Sequence, residues 1–262
     1  MNSGCSRVTL NQRIYWICSP GKAVSGQVLR QEKCLMHGEY EPAIAPRLLM
    51  TAIHAAAVAA TGWLLLGGGL EAVRAHWGTG WSLASPLRRW LLFTAALIYF
   101  LRVLMTTFVT LRRKMGWGEA VLIAVWVLVI DVLFALLGGA NPRATGAITV
   151  LGVAFYAVGS WLNSGSELQR KRWKERPENA GRLFTGGLFR HAVHINYFGD
   201  ELLFTGYALL TGRVWALLVP LLMLAGFLFF NIPELDRHLR AHYGAEFEAY
   251  ARRTRSFVPF IY

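Results

Sequence analysis

A run of basic residues in the second half of the chain has the composition of an anion-binding segment. Six Lys and Arg lie within thirteen positions, and Gly186-Gly187 follows soon after. Guanidinium and ammonium groups pair with phosphate, and glycine lets backbone amides approach it. The segment is predicted either to hold a phosphorylated cofactor or to anchor the protein at anionic lipid headgroups. The six residues are Arg170, Lys171, Arg172, Lys174, Arg176 and Arg182.

Polar residues flank this run on both sides. Asn163 and Glu167 precede it, and Asn196 and Asp200 follow it. The chain has no Gly-x-Gly-x-x-Gly after a strand, so a soluble Rossmann domain is not expected. A nucleotide would therefore be bound by helices and loops.

Two pairs of histidines have spacings that place two imidazoles on one helical face. These are His191 with His194, and His238 with His242. A membrane di-iron centre needs more histidines than these, so no metal site is predicted. His191 and His194 are expected to face the basic segment or the membrane interface. The other three of the seven histidines are expected in the tail and the outer region: His37, His54 and His76.

The composition identifies an integral membrane protein. Of 262 residues, 55% are hydrophobic and 16% are charged, whereas soluble domains have about 25% charged residues. The net charge of +12 falls largely between apolar runs, as expected for loops on the cytoplasmic side, so no nucleic-acid partner is predicted. Cys5, Cys18 and Cys34 precede the first apolar run and are predicted to be reduced thiols.

Apolar runs predict an all-α, polytopic helical bundle of about six spans with cytoplasmic cofactor-binding loops. A spanning helix needs about 20 apolar residues. Five runs approach or reach this length, and a sixth, 197–210, is shorter and contains Asp200 and Glu201. The five longer runs are 48–66, 90–111, 120–137, 144–162 and 214–232.

The distribution of Lys and Arg predicts the orientation of these helices. Residues 164–197 hold seven Lys and Arg against three acids, and the 112–114 connector is wholly basic. Both would lie in the cytoplasm with both termini. Residues 1–46 are predicted to form a polar, disordered tail, and residues 47–262 the transmembrane domain.

The order of the motifs in residues 90–262 closely resembles the C-terminal domain of the steroid 5α-reductase family, and more narrowly its bacterial branch of membrane reductases (DUF1295-like). The motifs are Asn163 to Glu167, the basic run, Gly-Gly-Leu-Phe at 186–189, the segment 191–201 and the closing 257–262. The resemblance implies an NADPH-dependent oxidoreductase acting on CH–CH groups, in a bacterial inner membrane.

The resemblance also implies roles for individual residues. In the family this region encloses NADPH. Tyr99, in Tyr99-Phe100-Leu101-Arg102, matches a catalytic tyrosine that would donate to the substrate carbonyl, whereas its apolar setting alone favours a packing role. The implied NADPH-binding residues are Asn163, Glu167, Arg170, Lys171, Lys174, Arg182, Asn196, Asp200 and Glu234.

The implied substrate is a lipophilic carbonyl compound with a conjugated C=C bond, either steroid-like or another lipid. Steroid-reducing members carry a Gln-Glu pair in an earlier helix, and the first apolar run here has none. One alternative is a membrane methyltransferase that resembles isoprenylcysteine carboxyl methyltransferases and uses S-adenosylmethionine. Another is a non-enzymatic membrane scaffold.

Two charges, Arg102 and Asp131, fall deep within apolar runs. Counted from Arg112 and Glu119 at the cytoplasmic ends, they lie about 15 Å and about 18 Å deep, at 1.5 Å per residue. A lone charge at that depth costs about 2.5 to 3.5 kcal/mol or more, which favours a mutual ion pair. The alternative places Asp131 at the substrate cavity as a proton source and directs Arg102 toward a cofactor group.

Overall fold

The computed structural model describes residues 5–10, 13–18, 44–78, 80–111 and 113–261, in two units, Met1–Pro42 and Ala43–Tyr262. In the first unit, strands β1 (Cys5–Leu10) and β2 (Arg13–Cys18) pair antiparallel, with Cys5 opposite Cys18. The prediction of a disordered tail falls mostly outside the described residues.

The described residues in the first half of the second unit form four helices. Helix α3 continues from Met105 into a π-helical turn at Thr106–Thr110. Such turns are rare and are frequently found at functional sites. The helices are α1 (Ile44–Leu66), α2 (Gly69–Trp77), α3 (Pro86–Met105) and α4 (Trp117–Gly139).

The second half contains five further helices. Short 3₁₀ turns at Pro177–Asn179, Gly187–Arg190 and Val214–Leu217 connect them, and a π-helical turn at Phe227–Asn231 joins α7 to α8. The helices are α5 (Ala147–Lys174), α6 (Ile195–Thr211), α7 (Leu218–Gly226), α8 (Ile232–Tyr243) and α9 (Ala245–Arg253).

The predicted polytopic helical bundle is confirmed. Among the described residues, five helical stretches are long and apolar enough to cross a membrane, and α6, with 17 residues, corresponds to the shorter sixth run. One boundary differs. Helix α5 extends to Lys174, so the first basic residues of the run lie on a helix rather than in a loop. Ion pairs Glu167–Arg170 and Lys171–Glu175 across one helical turn support this extension.

Helices α5 and α6 pack antiparallel with their backbones in close contact. A Cβ atom added to Gly159 would lie 2.4 Å from the Leu203 nitrogen, and one on Gly199 would lie 2.6 Å from the Asn163 nitrogen. Small residues allow this approach, as is common between membrane helices. Because the contact is so close, the polar ends of α5 and α6 lie side by side.

Arginines brace both ends of the bundle. Arg47 on α1 donates to the carbonyl oxygens of Leu111 and Arg113, so the start of α1 lies beside the end of α3. We call this end of the bundle the cavity end, because a cavity opens there. At the opposite end, Arg88 donates to the carbonyl oxygen of Asn141 (2.7 Å) and Arg213 to that of Ala140 (2.7 Å).

Hydrogen bonds connect the C-terminal segment of the chain to the loop before α6. Val193 and His194 donate backbone hydrogen bonds to the carbonyl oxygens of Arg255 and Ser256, and the Tyr250 hydroxyl donates to the Phe189 carbonyl oxygen (2.5 Å). Burial raises the pKa of Tyr250, so its hydroxyl stays protonated and keeps this bond.

Candidate functional site

A cavity of about 580 Å³ opens at the cavity end, between α1, α3, α4, α5 and α6. This volume is within the range of about 300–1,000 Å³ that is typical of small-molecule sites. The lining is polar on the α5 and α6 side and mainly apolar on the α1 and α4 side. Eight of the ten predicted site residues line it: Tyr99, Asn163, Glu167, Arg170, Lys171, Lys174, Asn196 and Asp200.

One continuous hydrogen-bond chain joins the α5 and α6 walls. The Asn163 side chain donates to the Asn196 carbonyl oxygen (3.1 Å), and the Asn196 side chain donates to Glu167 (3.1 Å). Glu167 in turn pairs with Arg170 (2.5 Å). Asn163 and Glu167 are buried. The chain therefore holds an amide, a carboxylate and a guanidinium in fixed relative positions along the cavity wall.

Two lysines extend the basic wall. Lys171 pairs with Glu175 (2.6 Å). The Lys174 ammonium donates to the Tyr243 hydroxyl (2.9 Å) and lies 5.0 Å from the centre of the Tyr243 ring. Lys174 thereby connects the cavity wall to α8. Together with Arg170, the two lysines concentrate positive charge at one side of the cavity.

Arg102 pairs with Asp200, not with Asp131, so the predicted Arg102–Asp131 pair is wrong. The Arg102 guanidinium donates to Asp200 (3.2 Å) and to the Ser164 hydroxyl (3.0 Å). Helical rise gave the depth of the two charges but not the face of each helix on which they lie. The Nη1 atom of Arg102 is buried without a hydrogen-bond partner among the described residues.

Tyr99 forms part of the cavity wall one turn from Arg102 on the same helix. Its ring packs against His54 on α1, with centroids 5.2 Å apart, and against Phe204 on α6, with centroids 5.0 Å apart. Tyr99 therefore combines a packing role with a position at the cavity.

Two predicted site residues lie elsewhere. Arg182 is exposed, and its backbone carbonyl accepts a hydrogen bond from Lys174. Glu234 is exposed on α8. Neither lines the cavity, and both assignments stay predictions.

The Gly186-Gly187 pair does not line the cavity, contrary to the expected approach of glycine to a phosphate. Gly187 has a φ of +55°, and an added Cβ would lie 2.1 Å from the Gln169 side-chain oxygen. That oxygen accepts a hydrogen bond from the Leu188 backbone amide (2.9 Å). The glycine thus fits the loop against α5.

His54 is also not where the histidine distribution placed it. It lies within α1, buried in the core, with its Nε2 atom 3.5 Å from an oxygen of Asp131. The other Asp131 oxygen accepts from the Tyr207 hydroxyl (3.3 Å). His194 pairs with Asp236 on α8 (2.9 Å) and does not line the cavity.

Sequence reasoning missed several lining residues. Thr106, Thr107 and Thr110 all belong to the π-helical turn, for which the sequence has no recognisable signal. Arg113 and Glu119 also line the cavity and form an ion pair. Their hydrogen bond raises the pKa of Arg113. Their opposite charges six positions apart, on either side of a helix start, could have indicated this pair.

The family described as "Protein of unknown function (DUF1295)" matches residues 108–254, more than half of the chain. The matched part contains the polar wall formed by α5 and α6. Tyr99 and Arg102 precede it.

Curated relatives of two kinds are similar to this chain. Human 3-oxo-5-alpha-steroid 4-dehydrogenase 2 is 30% identical over 43% of this chain and 42% of its own length. Human 3-oxo-5-alpha-steroid 4-dehydrogenase 1 is 25% identical over 47% of this chain and 46% of its own. The protein named "Probable O-methyltransferase ustE", from Ustilaginoidea virens, is 33% identical over 40% of this chain and 36% of its own. The chain thus spans less than half the length of these relatives.

Proposed function

Because the chain belongs to the DUF1295 family, within the steroid 5α-reductase-like membrane proteins, we propose that it is an NADPH-dependent membrane oxidoreductase. It would reduce a C=C bond conjugated to a carbonyl in a lipophilic substrate, steroid-like or another lipid. The observation that carries the proposal is the cavity at which Tyr99 faces the same space as the basic wall of α5.

The residues of the cavity fit a phosphorylated dinucleotide. Arg170, Lys171 and Lys174 supply cations that pair with phosphate oxygens. The Nη1 atom of Arg102, which has no partner among the residues described, is a buried donor at the cavity, and such a group is costly unless a ligand oxygen accepts from it. Asn163 and Asn196 add amide groups. Bound NADPH would supply a hydride to the β-carbon of the substrate.

Tyr99 donates a proton in this reaction. As hydride arrives at the β-carbon, the π electrons of the C=C bond move toward the carbonyl and negative charge builds on its oxygen. A tyrosine hydroxyl is protonated at neutral pH and can donate to that oxygen. The Tyr99 proton passes to the oxygen and gives an enol. The enol becomes the saturated ketone as its O–H proton is lost to solvent and a solvent proton adds to the α-carbon, and Tyr99 regains a proton from solvent as the product leaves, so that one proton is consumed overall.

A membrane-dissolved substrate is favoured because the cavity lies inside an apolar bundle. Its α1 and α4 side is lined by Met50, Met115 and Ile123, which suit an apolar body. We place the cavity end and both termini on the cytoplasmic side, because the basic segments gather there. Such a location would give NADPH access from the cytoplasm.

The test is to purify the protein in detergent, identify any co-purified nucleotide by mass spectrometry, and measure NADPH oxidation with a panel of α,β-unsaturated ketones. We expect bound NADP(H) and a saturated ketone as product. Tyr99→Phe should retain nucleotide and lose turnover. A protein that neither binds NADPH nor reduces any member of the panel would contradict the proposal.

A second candidate function is methyl transfer from S-adenosylmethionine, favoured by the similarity to the fungal protein whose printed name is an O-methyltransferase. The same mass-spectrometric experiment separates the two functions. Co-purified S-adenosylmethionine or its demethylated product, without NADP(H), would favour the methyltransferase.

A further inference from the structure

The proposed reaction leaves one group of buried titratable residues without a role. His54 on α1 and Asp131 on α4, which we call the buried dyad, are 1% and 0% exposed. The Tyr207 hydroxyl on α6 donates to Asp131. Neither member of the dyad lines the cavity, yet His54 contacts Tyr99, which does. Tyr99 therefore lies between the cavity and the dyad.

The dyad lies near the middle of the membrane span. His54 is ten residues into α1 and Asp131 fourteen residues into α4, about 15 Å and about 21 Å along helices that cross a hydrocarbon layer about 30 Å thick. A lone carboxylate or imidazolium is strongly disfavoured there. The dyad is therefore expected to be neutral overall, with one proton shared as imidazolium–carboxylate or as imidazole–carboxylic acid.

The hydrogen bonds around the dyad offer this proton few sites outside His54 and Asp131. Neither ring nitrogen of His54 nor the Oδ2 atom of Asp131 has a hydrogen-bond partner among the described residues. Tyr207 contacts only the other oxygen, Oδ1. The 3.5 Å between Nε2 and Oδ2 is long for a hydrogen bond but within the range of an ion pair.

Tyr99 is held by two aromatic contacts of different chemistry. His54 packs against its ring at an interplanar angle of 54°, and Phe204 packs edge-on at 77°. Phe204 provides only an apolar surface, whereas His54 can carry a positive charge. A tyrosinate formed at Tyr99 would lie beside that charge in a dry environment, where electrostatic stabilisation is strong.

We propose that His54 and Asp131 are positioning residues for Tyr99, which fix its ring and place an imidazolium beside it as its proton leaves. The inference rests on the proposed reductase function. In this step the Tyr99 O–H bond breaks, its proton passes to the substrate oxygen, and the electron pair stays on Tyr99. The dyad keeps its own proton and stays neutral overall, and its imidazolium, the member that contacts the Tyr99 ring, offsets the negative charge until a solvent proton returns to Tyr99.

The kinetic test compares His54→Gln and Asp131→Asn, which remove the titratable groups but keep polar side chains. We expect kcat for NADPH-dependent reduction of a conjugated ketone to fall roughly 10- to 100-fold, with KM and NADPH affinity unchanged. Phe204→Leu is the matched control for lost packing on Tyr99. Thr61→Val is the control for a lost buried hydroxyl on α1. Both controls should have a smaller effect on kcat.

A spectroscopic readout on the protein without cofactor tests the shared proton. The infrared band of the Asp131 carboxyl group is identified by its loss in Asp131→Asn. It should shift in His54→Gln and stay in place in Thr61→Val. If a single substitution prevents folding, the double change His54→Leu with Asp131→Leu, which leaves no lone buried charge, supplies the kinetic measurement.

The outcomes separate this inference from the proposed function. Two results would overturn this inference alone, provided that the wild-type protein reduces the ketone. One is an undiminished kcat in His54→Gln and Asp131→Asn, and the other is an equal loss of kcat in Phe204→Leu. An unshifted Asp131 band would also overturn it. A wild-type protein without NADPH-dependent reduction would overturn the proposed function, and this inference with it.

Discussion

The two ends of the bundle each bury an arginine but complete its hydrogen bonds differently. At the opposite end, Arg88 donates to the backbone carbonyl oxygens of Asn141 and Ala144. At the cavity end, Arg102 donates to the side chains of Ser164 and Asp200, and its Nη1 atom has no partner in the part of the chain that the structure describes.

This difference separates a structural role from a ligand-binding one. The carbonyl oxygens that accept from Arg88 belong to the backbone just after the end of α4, where the charge of Arg88 also complements the helix terminus. Side-chain partners can rotate, so those of Arg102 can adjust when a ligand enters. Arg213 at the same end likewise donates to a backbone carbonyl oxygen, that of Ala140, so both of these arginines have structural partners.

The largest expected effect is on catalysis at the cavity end. Tyr99→Phe should lower turnover about 100-fold or more, because the donor to the developing oxyanion is lost. NADPH affinity and thermal stability should stay near wild type, since the ring still packs on Phe204. Steady-state kinetics with a conjugated ketone measure the effect, and unchanged turnover would return Tyr99 to a packing role.

The next effect is on stability at the opposite end. Arg88→Met should destabilise the protein by about 1 to 3 kcal/mol, because buried carbonyl oxygens lose their donor. NADPH affinity should be unaffected. Thermal unfolding in detergent measures the loss, with the exposed Arg143→Ala as control. A loss of nucleotide affinity with no loss of stability would contradict the structural role of this end.

A substitution at the contact between α5 and α6 tests whether close backbone packing stabilises the cavity wall. Gly199→Ala should destabilise by about 1 to 3 kcal/mol, because its Cβ would overlap the α5 backbone. Gly165→Ala is the matched control, since its Cβ would meet the nearest atom at 3.6 Å. Equal unfolding temperatures for the two variants would refute close backbone packing of α5 on α6.

The smallest expected effect is a difference in NADPH affinity between variants of two neighbouring arginines on α5. Arg170→Ala should weaken NADPH binding about tenfold, the size of one charge-assisted contact. Arg172→Ala should change it little, because Arg172 is exposed and does not line the cavity. Fluorescence titration measures both. Equal losses would indicate a general electrostatic effect of the basic run.

The sequence predicted the spans well because each follows from a local sum of apolar residues over about 20 positions. It also predicted that Asn163, Glu167, Asn196 and Asp200 belong together, through the resemblance of the motifs. It misplaced His54 and the partner of Arg102. The Arg102 error arises because a pattern along the chain gives the depth of a residue but not the direction in which its helix turns it, whereas His54 was misplaced in depth, although it lies within the first apolar run.

The sequence by itself determined that the chain spans a membrane and which segments of the chain are basic, and it predicted how deep individual charges lie. These properties depend on composition and on a rise of 1.5 Å per residue. Only the tertiary structure decided which charges pair, because pairing depends on the rotation of each helix. That rotation is set by contacts such as Gly159 against Leu203 and Gly199 against Asn163, where the absence of side chains brings two backbones together and aligns the polar ends of α5 and α6.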